Sequence, residues 1–271
     1  MNIKNVVKAL VLSVLPERAL QVLKKAYYPR ILRSICERDE KDFGVIIHLV
    51  RPGDCVVDIG ANIGVYTKFL SDLVGVHGRV LSVEPIPYTF EILCSNIRKL
   101  RLANVEPINC AVSNSNSNVT MEVPTYESGG ENFYEARIVD DITDSSLRRE
   151  RVESKTIDSL FLRLPRNISF IKCDVEGHEL KCIKGAVKVM GESKPAWLVE
   201  ISGDPGASKS PAAETFELMQ HEGYEAYWFD GRNLNRWSRG DKSVNYFFLT
   251  PGHLQTLSGS GILGEPGAHI V

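Results

Sequence analysis

Short apolar runs that stop on an acid or a glycine, each followed by a stretch with helical spacing, recur along this chain and leave it few folds to adopt. The run Asp54-Cys55-Val56-Val57-Asp58-Ile59 is continuously apolar up to its acid, as suits a strand covered on both faces in a parallel sheet. The pattern predicts a helix over 64–74, a strand over 79–84, a helix over 87–102 and a strand over 105–112, with Gly, Pro and Asn at the joints. Alternation resumes with a strand at 168–173, a helix at 177–190, a strand at 196–201 and a helix at 212–222. Two closing strands follow at 224–229 and 244–250, and the turn Asp230-Gly231-Arg232-Asn233 suits neighbouring strands of an antiparallel edge pair. The expected class is α/β with a parallel sheet.

Three segments stand outside that rhythm. Residues 1–50 read as a helical extension, with Leu20, Leu23, Ile31 and Leu32 as apolar anchors and Pro29 breaking the pattern. Within it, residues 6–15 are apolar but interrupted by Lys8 and too short to span a bilayer, which needs roughly 20 apolar residues. Ile3, Val6, Val7 and Leu10 fall at helical spacing, so a packing helix in a soluble, cytoplasmic protein without a transmembrane segment is expected. The main domain is assigned to 51–257. It holds an insertion at about 113–153 marked by Asn114-Ser115-Asn116-Ser117-Asn118, Ser128-Gly129-Gly130 and the charged run Arg148-Arg149-Glu150-Arg151. Val119 to Val123 is expected to pair with the region around Val152. Residues 258–271 form a Gly- and Pro-rich, flexible tail.

A length of 271 residues, 43% of them hydrophobic, is enough for one large core, and a formal charge of −2 gives no general attraction to nucleic acid. The six cysteines lack C-x-x-C or histidine spacing and read as reduced core residues.

Chemistry concentrates at the carboxyl ends of the expected strands. Asp58-Ile59-Gly60-Ala61-Asn62-Ile63-Gly64 places glycines where backbone can approach a ligand, and Glu84 ends the next strand about 20 residues on, where a carboxylate can accept from ribose hydroxyls. A dinucleotide fingerprint would carry glycine at Asn62, and Asp58 favours a cationic group over phosphates. Lys172-Cys173-Asp174-Val175-Glu176-Gly177-His178-Glu179 crowds ionisable groups at another strand end. Helix capping accounts for only part of it. Glu200 ends the adjacent strand beside Asp174, and His178 is the candidate general base. The same acids can take a divalent cation, although no metal is assigned.

These blocks resemble the FkbM-type methyltransferases over roughly 51–229. The match runs through Val57 to Gly64, Val83-Glu84-Pro85, the Asn96 region, Ala111-Val112-Ser113, Thr156-Ile157-Asp158-Ser159-Leu160, and 171–185 around Asp174-Val175-Glu176-Gly177-His178-Glu179. The resemblance implies a Rossmann-like class I methyltransferase fold with a seven-stranded, mostly parallel sheet and one antiparallel edge strand. It implies S-adenosylmethionine as cofactor and methyl transfer to a hydroxyl of a sugar, glycan or secondary metabolite. Carried over, Asp58, Gly60, Asn62 and Gly64 surround the methionine part and Glu84 the ribose, while the adenine lies around Ala111. Asp174, Glu176, His178 and Glu200 become the candidate catalytic residues. The aromatics Tyr126, Phe133 and Tyr134 of the insertion are candidates for acceptor contact. Two other readings are a protein that binds S-adenosylmethionine without turnover and an NAD-dependent oxidoreductase, the latter disfavoured by Asn62.

Overall fold

The computed structural model describes residues 17–126, 131–139, 146–162 and 167–264. Two helices, α1 (Glu17–Arg33) and α2 (Phe43–Leu49), precede the first strand, β1 (Cys55–Ile59). The next units are α3 (Val65–Val74), β2 (Arg79–Val83), α4 (Pro87–Leu100) and β3 (Val105–Ile108). Proline opens α4, where no intrahelical N–H is lost, and Arg101 in the left-handed region closes it.

The chain then leaves the main sheet. The expected strand at 105–112 divides, because the Asn109 side chain donates to the carbonyls of Glu84 and Pro85 and turns the backbone aside. Beyond it β4 (Ala111–Val112), β5 (Ser117–Val123), β6 (Arg137–Val139) and β7 (Arg148–Lys155) form a second sheet in the order β4-β7-β5-β6. β5 lies antiparallel to β7 with Val119 opposite Val152, as the sequence predicts. Ser128-Gly129-Gly130 and residues 140–145 lie outside the described residues.

The main sheet resumes after α5 (Ile157–Phe161), whose Thr156 hydroxyl accepts from the Ser159 N–H. It continues through β8 (Ile168–Cys173), α6 (Glu179–Lys184), α7 (Val187–Glu192), β9 (Ala196–Glu200) and α8 (Pro211–His221). It ends with β10 (Glu225–Phe229), β11 (Leu234–Arg236), β12 (Asn245–Leu249) and α9 (Pro251–Leu257). The single helix expected at 177–190 is two, broken at Gly185, where a Cβ would lie 2.2 Å from the Ser113 carbonyl oxygen. The backbones meet too closely there for a regular turn with a side chain.

The order is β11-β10-β12-β9-β8-β1-β2-β3, eight strands where seven were expected. The additional strand is β11, which the Asp230–Asn233 turn folds back onto β10. Strand β12 runs antiparallel between β9 and β10, so antiparallel pairing reaches inside the sheet and is not confined to an edge. Strands β3, β2, β1, β8 and β9 are parallel.

Side chains of the central strands alternate between two cores. Val57, Leu81, Ile171 and Trp197 face α6, α7 and α8, whereas Val56, Val80, Phe170 and Leu198 face α2 and α3. Each such side chain contributes roughly 1.5–3 kcal/mol by leaving water, so strand ends are held firmly enough to carry a site. A third cluster, with Ile86, Tyr88, Met121 and Phe133, seals the second sheet against α4.

The extension departs most from expectation. Pro29 sits inside α1 without ending it, and Leu32 is buried as predicted, but Leu23 and Ile31 face outward. Ile3, Val6, Val7 and Leu10 lie outside the described residues, as do residues 265–271 of the tail. Of the cysteines, Cys55, Cys110, Cys173 and Cys182 are buried, Cys94 is half-buried and Cys36 is exposed, so the core reading fails at Cys36.

Candidate active site

The turn after β1 is forced into shape by a close backbone approach. Gly60 has φ +76°, and a Cβ there would stand 1.8 Å from the Asp174 carbonyl oxygen, so the end of β8 closes on it without room for any side chain. The Gly60 and Ala61 N–H groups donate to the Val83 carbonyl. The Asn62 N–H donates to Glu84 Oε2 at 2.9 Å and the Ile86 N–H to Glu84 Oε1 at 3.0 Å, so Glu84 ties the first turn to the second. Burial pushes the Glu84 carboxyl up to about 7 despite these two bonds. Gly64, φ +97°, starts α3 behind the turn, and Asn96 Nδ2 donates to the Ile63 carbonyl from α4.

Beneath the turn lies a buried charged group. Asp58 has no solvent exposure; its Oδ2 accepts from the Thr67 hydroxyl at 2.6 Å, while Oδ1 is without a hydrogen-bond partner. Its register partner on β8 is Lys172, whose Nζ lies 2.7 Å from Asp174 Oδ2 and 4.6 Å from the centre of the Tyr66 ring. Burial opposes the Lys172 charge, but Asp174 and Asp58 outweigh it and raise its pKa. Burial likewise raises the pKa of Asp58, against the pull of Lys172.

Two cavities meet over this layer. One of about 260 Å³ is lined by Glu84, Ile86, Ala111, Met121 and Phe133, with Glu176 among its polar groups. The other, of about 350 Å³, is lined by Tyr28, Glu40, Asp58, Tyr66 and Lys172. Gly60, Asn62, Tyr134 and Asp174 line both. The Tyr28 and Tyr134 hydroxyls are 2.6 Å apart, joining α1 to the short 3₁₀ turn Phe133–Glu135 of the insertion. Phe133 stacks on Tyr88 with ring centres 4.3 Å apart.

Most of the predicted residues converge. Gly60, Asn62, Glu84, Ala111, Asp174 and Glu176 line the first cavity and Asp58 the second. Gly64, His178 and Glu200 line neither. His178 is buried at the start of α6 with Nε2 2.9 Å from the Ser113 hydroxyl, and Glu179 Oε1 accepts from the Gly177 N–H, so this part of the motif holds the turn. Glu176, exposed and at φ +51°, has its carboxyl pushed up to about 7, first by loss of hydration and then by Asp174 and Glu200. Of the aromatics proposed for acceptor contact, Phe133 and Tyr134 line the cavity and Tyr126 does not.

The sequence alone gives no part to Tyr28, Glu40 or Tyr66, and it places Lys172 in the crowded strand end without a role of its own. For Lys172 a signal existed, a cation inside an otherwise apolar strand opposite an equally misplaced acid. Tyr28 and Glu40 carry no such mark, because their positions depend on how α1 and the segment after it fold back, and Tyr66, in the first turn of α3, reads as an ordinary helix residue.

The model of the Methyltransferase FkbM domain matches residues 58–226, more than half of the chain. No curated protein matches the sequence. Among solved structures, methyltransferase FkbM from Methylobacillus flagellatus KT aligns at 18% identity and a TM-score of 0.44. The alignment covers 78% of this chain but 50% of that one, so the present chain spans about half its length. Aeropyrum pernix fibrillarin in complex with natively bound S-adenosyl-L-methionine aligns at 14% identity over 74% of this chain and 68% of that one, TM-score 0.44. A SAM-dependent O-methyltransferase from Thermotoga maritima aligns at 14% identity over 79% and 64%, TM-score 0.44. The extent of the domain match, which begins at Asp58 and runs through the ends of β1, β2, β8 and β9, shows that the chain belongs to the FkbM methyltransferase family.

Proposed function

We propose that this protein transfers a methyl group from S-adenosylmethionine to a hydroxyl oxygen of a sugar, glycan or related small molecule. The observation that carries the reading is the pair of cavities joined at Gly60, with Asp58 under one and Glu84 in the other. An enclosure bordered by Asp58, Glu40 and Asp174 around the single cation Lys172 suits a ligand bearing two cationic groups and one carboxylate. The unpartnered acceptors Asp58 Oδ1 and Asn62 Oδ1 are buried beside it and fit a donor-bearing ligand. Bound there, S-adenosylmethionine would supply a methyl group on a cationic sulfur.

The protein's own residues then divide the work. Glu84, fixed by two backbone donors, keeps lone pairs for ribose hydroxyls, and the apolar wall of Ile86, Ala111, Met121 and Phe133 accommodates a flat base. Lys172 meets a carboxylate, and Gly60 lets the ligand lie against backbone. Tyr28 and Tyr134 exclude water from the junction. Glu176 takes the proton from the acceptor hydroxyl, the role its near-neutral carboxyl and place in the cavity favour over His178. His178 and Glu200 act as positioning residues, the first through Ser113 and the second through its charge on Glu176. Alignment and water exclusion supply most of the rate, since orientation is worth about 7–11 kcal/mol.

Calorimetric titration of S-adenosylmethionine and of NAD tests the reading. Binding of the former alone, weakened at least about tenfold (roughly 1.4 kcal/mol) by Asp58→Asn with Glu84→Gln, is the expected outcome. A folded protein that binds NAD or neither ligand overturns it, and binding without turnover on any hydroxyl acceptor identifies a non-catalytic binder.

A further inference from the structure

Helix α1 buries Leu32 but also holds polar side chains against the domain and leaves a set of apolar ones outside. On the inner side Gln21 Nε2 and Lys25 Nζ both donate to Glu91 Oε2 of α4, at 3.1 and 2.9 Å. Lys24 Nζ lies 5.2 Å from the centre of the Tyr88 ring and 5.1 Å from that of Tyr134. The opposite side presents Val22, Leu23, Tyr27 and Ile31, exposed by 67%, 51%, 58% and 41%. Positions 23, 27 and 31 are successive i,i+4 neighbours and form one continuous stripe. Exposed Arg30 and Arg33 flank it. A helix that rests on a domain and otherwise faces water carries no such apolar stripe on its outer side, so this face is suited to an apolar surface.

Charge identifies the surface. Residues 1–38 contain eight Lys or Arg against two Glu, whereas residues 39–271 contain 24 Lys or Arg against 32 Asp or Glu. The positive excess is therefore confined to the end of the chain that carries the stripe. Two of the eight, Lys4 and Lys8, stand among the apolar residues of 1–16, which hold no acid. Parallel pairing of two copies through this stripe would bring Arg30 and Arg33 toward their own equivalents, and like charges oppose that contact.

We propose that the outer face of α1 docks on the surface of an anionic lipid bilayer. The helix lies in the interface plane with Leu23, Tyr27 and Ile31 among the upper acyl chains and Arg30 and Arg33 against the head groups. No described helix is long and apolar enough to cross the bilayer, so the contact is peripheral. Tyr28 projects from the same helix into the second cavity, so docking sets the rim of that cavity close to the lipid.

Co-sedimentation of the full chain with vesicles of phosphatidylcholine, with and without phosphatidylglycerol, tests this. Binding to the anionic vesicles that weakens with salt is expected, with affinity for neutral vesicles lower by about tenfold or more. Leu23→Glu/Ile31→Glu should lower binding to anionic vesicles by about tenfold or more with an unchanged thermal melt, because both side chains are exposed. Arg30→Gln/Arg33→Gln should flatten the salt dependence. No sedimentation with anionic vesicles overturns the proposal, as does undiminished binding by Leu23→Glu/Ile31→Glu. So does a dimer, seen by light scattering, that this double substitution dissociates in a chain that ignores vesicles.

Discussion

Gly60 is the residue on which the site's geometry turns, because a backbone carbonyl stands where any Cβ would be. Gly60→Ala adds left-handed strain to a clash that only a backbone shift relieves, together on the order of 3 kcal/mol. A urea melt should register that loss, and affinity for the methyl donor should fall with it; an alanine variant of wild-type stability would mean that β1 and β8 are not so tightly apposed. Glu176 calls for a different experiment, since its carboxylate is at the rim and little of the fold depends on it. With its carboxyl held up to about 7, a base role makes kcat/KM rise as pH passes through that value and level off above it. Glu176→Gln should remove the rise and lower kcat/KM by roughly 10²–10⁴. If instead His178→Ala abolishes the pH limb and Glu176→Gln preserves it, the two roles are exchanged.

At the scale of elements, what the sequence made legible was whatever repeats. Strands β1, β2, β8 and β9 fall within a residue of expectation because continuous apolar runs are buried on both faces and admit no other register. The breaks at Asn109 and Gly185 were hidden, since each is set by contact with a segment distant in sequence, the Glu84–Pro85 backbone and Ser113. The same holds for the site. Its strand-end residues were visible as acids and glycines at joints, whereas Tyr28 enters only because α1 folds over the cavity. That helix consequently has a testable part in ligand retention. Tyr28→Phe and Tyr134→Phe each remove one end of a hydrogen bond worth about 0.5–1.5 kcal/mol, so each should weaken donor binding by roughly 2- to 12-fold. The double variant should be little worse than either single one, since both delete the same interaction. Additive losses would mean that the two hydroxyls act separately.

The whole molecule couples its stability to its ligand through Glu84, the carboxylate on which the first two strand turns converge. A free glutamate titrates near 4.5, and burial in the folded chain holds Glu84 at about 7. Between those values the folded state keeps a proton that the unfolded chain has released, so this group's contribution to stability falls as pH rises from about 4.5 to about 7. A ligand whose hydroxyls donate to Glu84 favours the carboxylate and pulls its pKa down. Binding near pH 6.5, between those limits, should therefore release a fraction of a proton, seen calorimetrically as a binding enthalpy that differs between buffers of unlike ionisation enthalpy. Saturation at about 100 times Kd should also stabilise the fold by about 2.7 kcal/mol. Glu84→Gln should abolish the proton release and lessen the fall in stability between pH of about 4.5 and about 7, leaving the share of Glu176, which is held at about 7 as well. Proton release that persists in Glu84→Gln would move the coupling to Asp58 or Glu176, and with it the point at which the ligand is recognised.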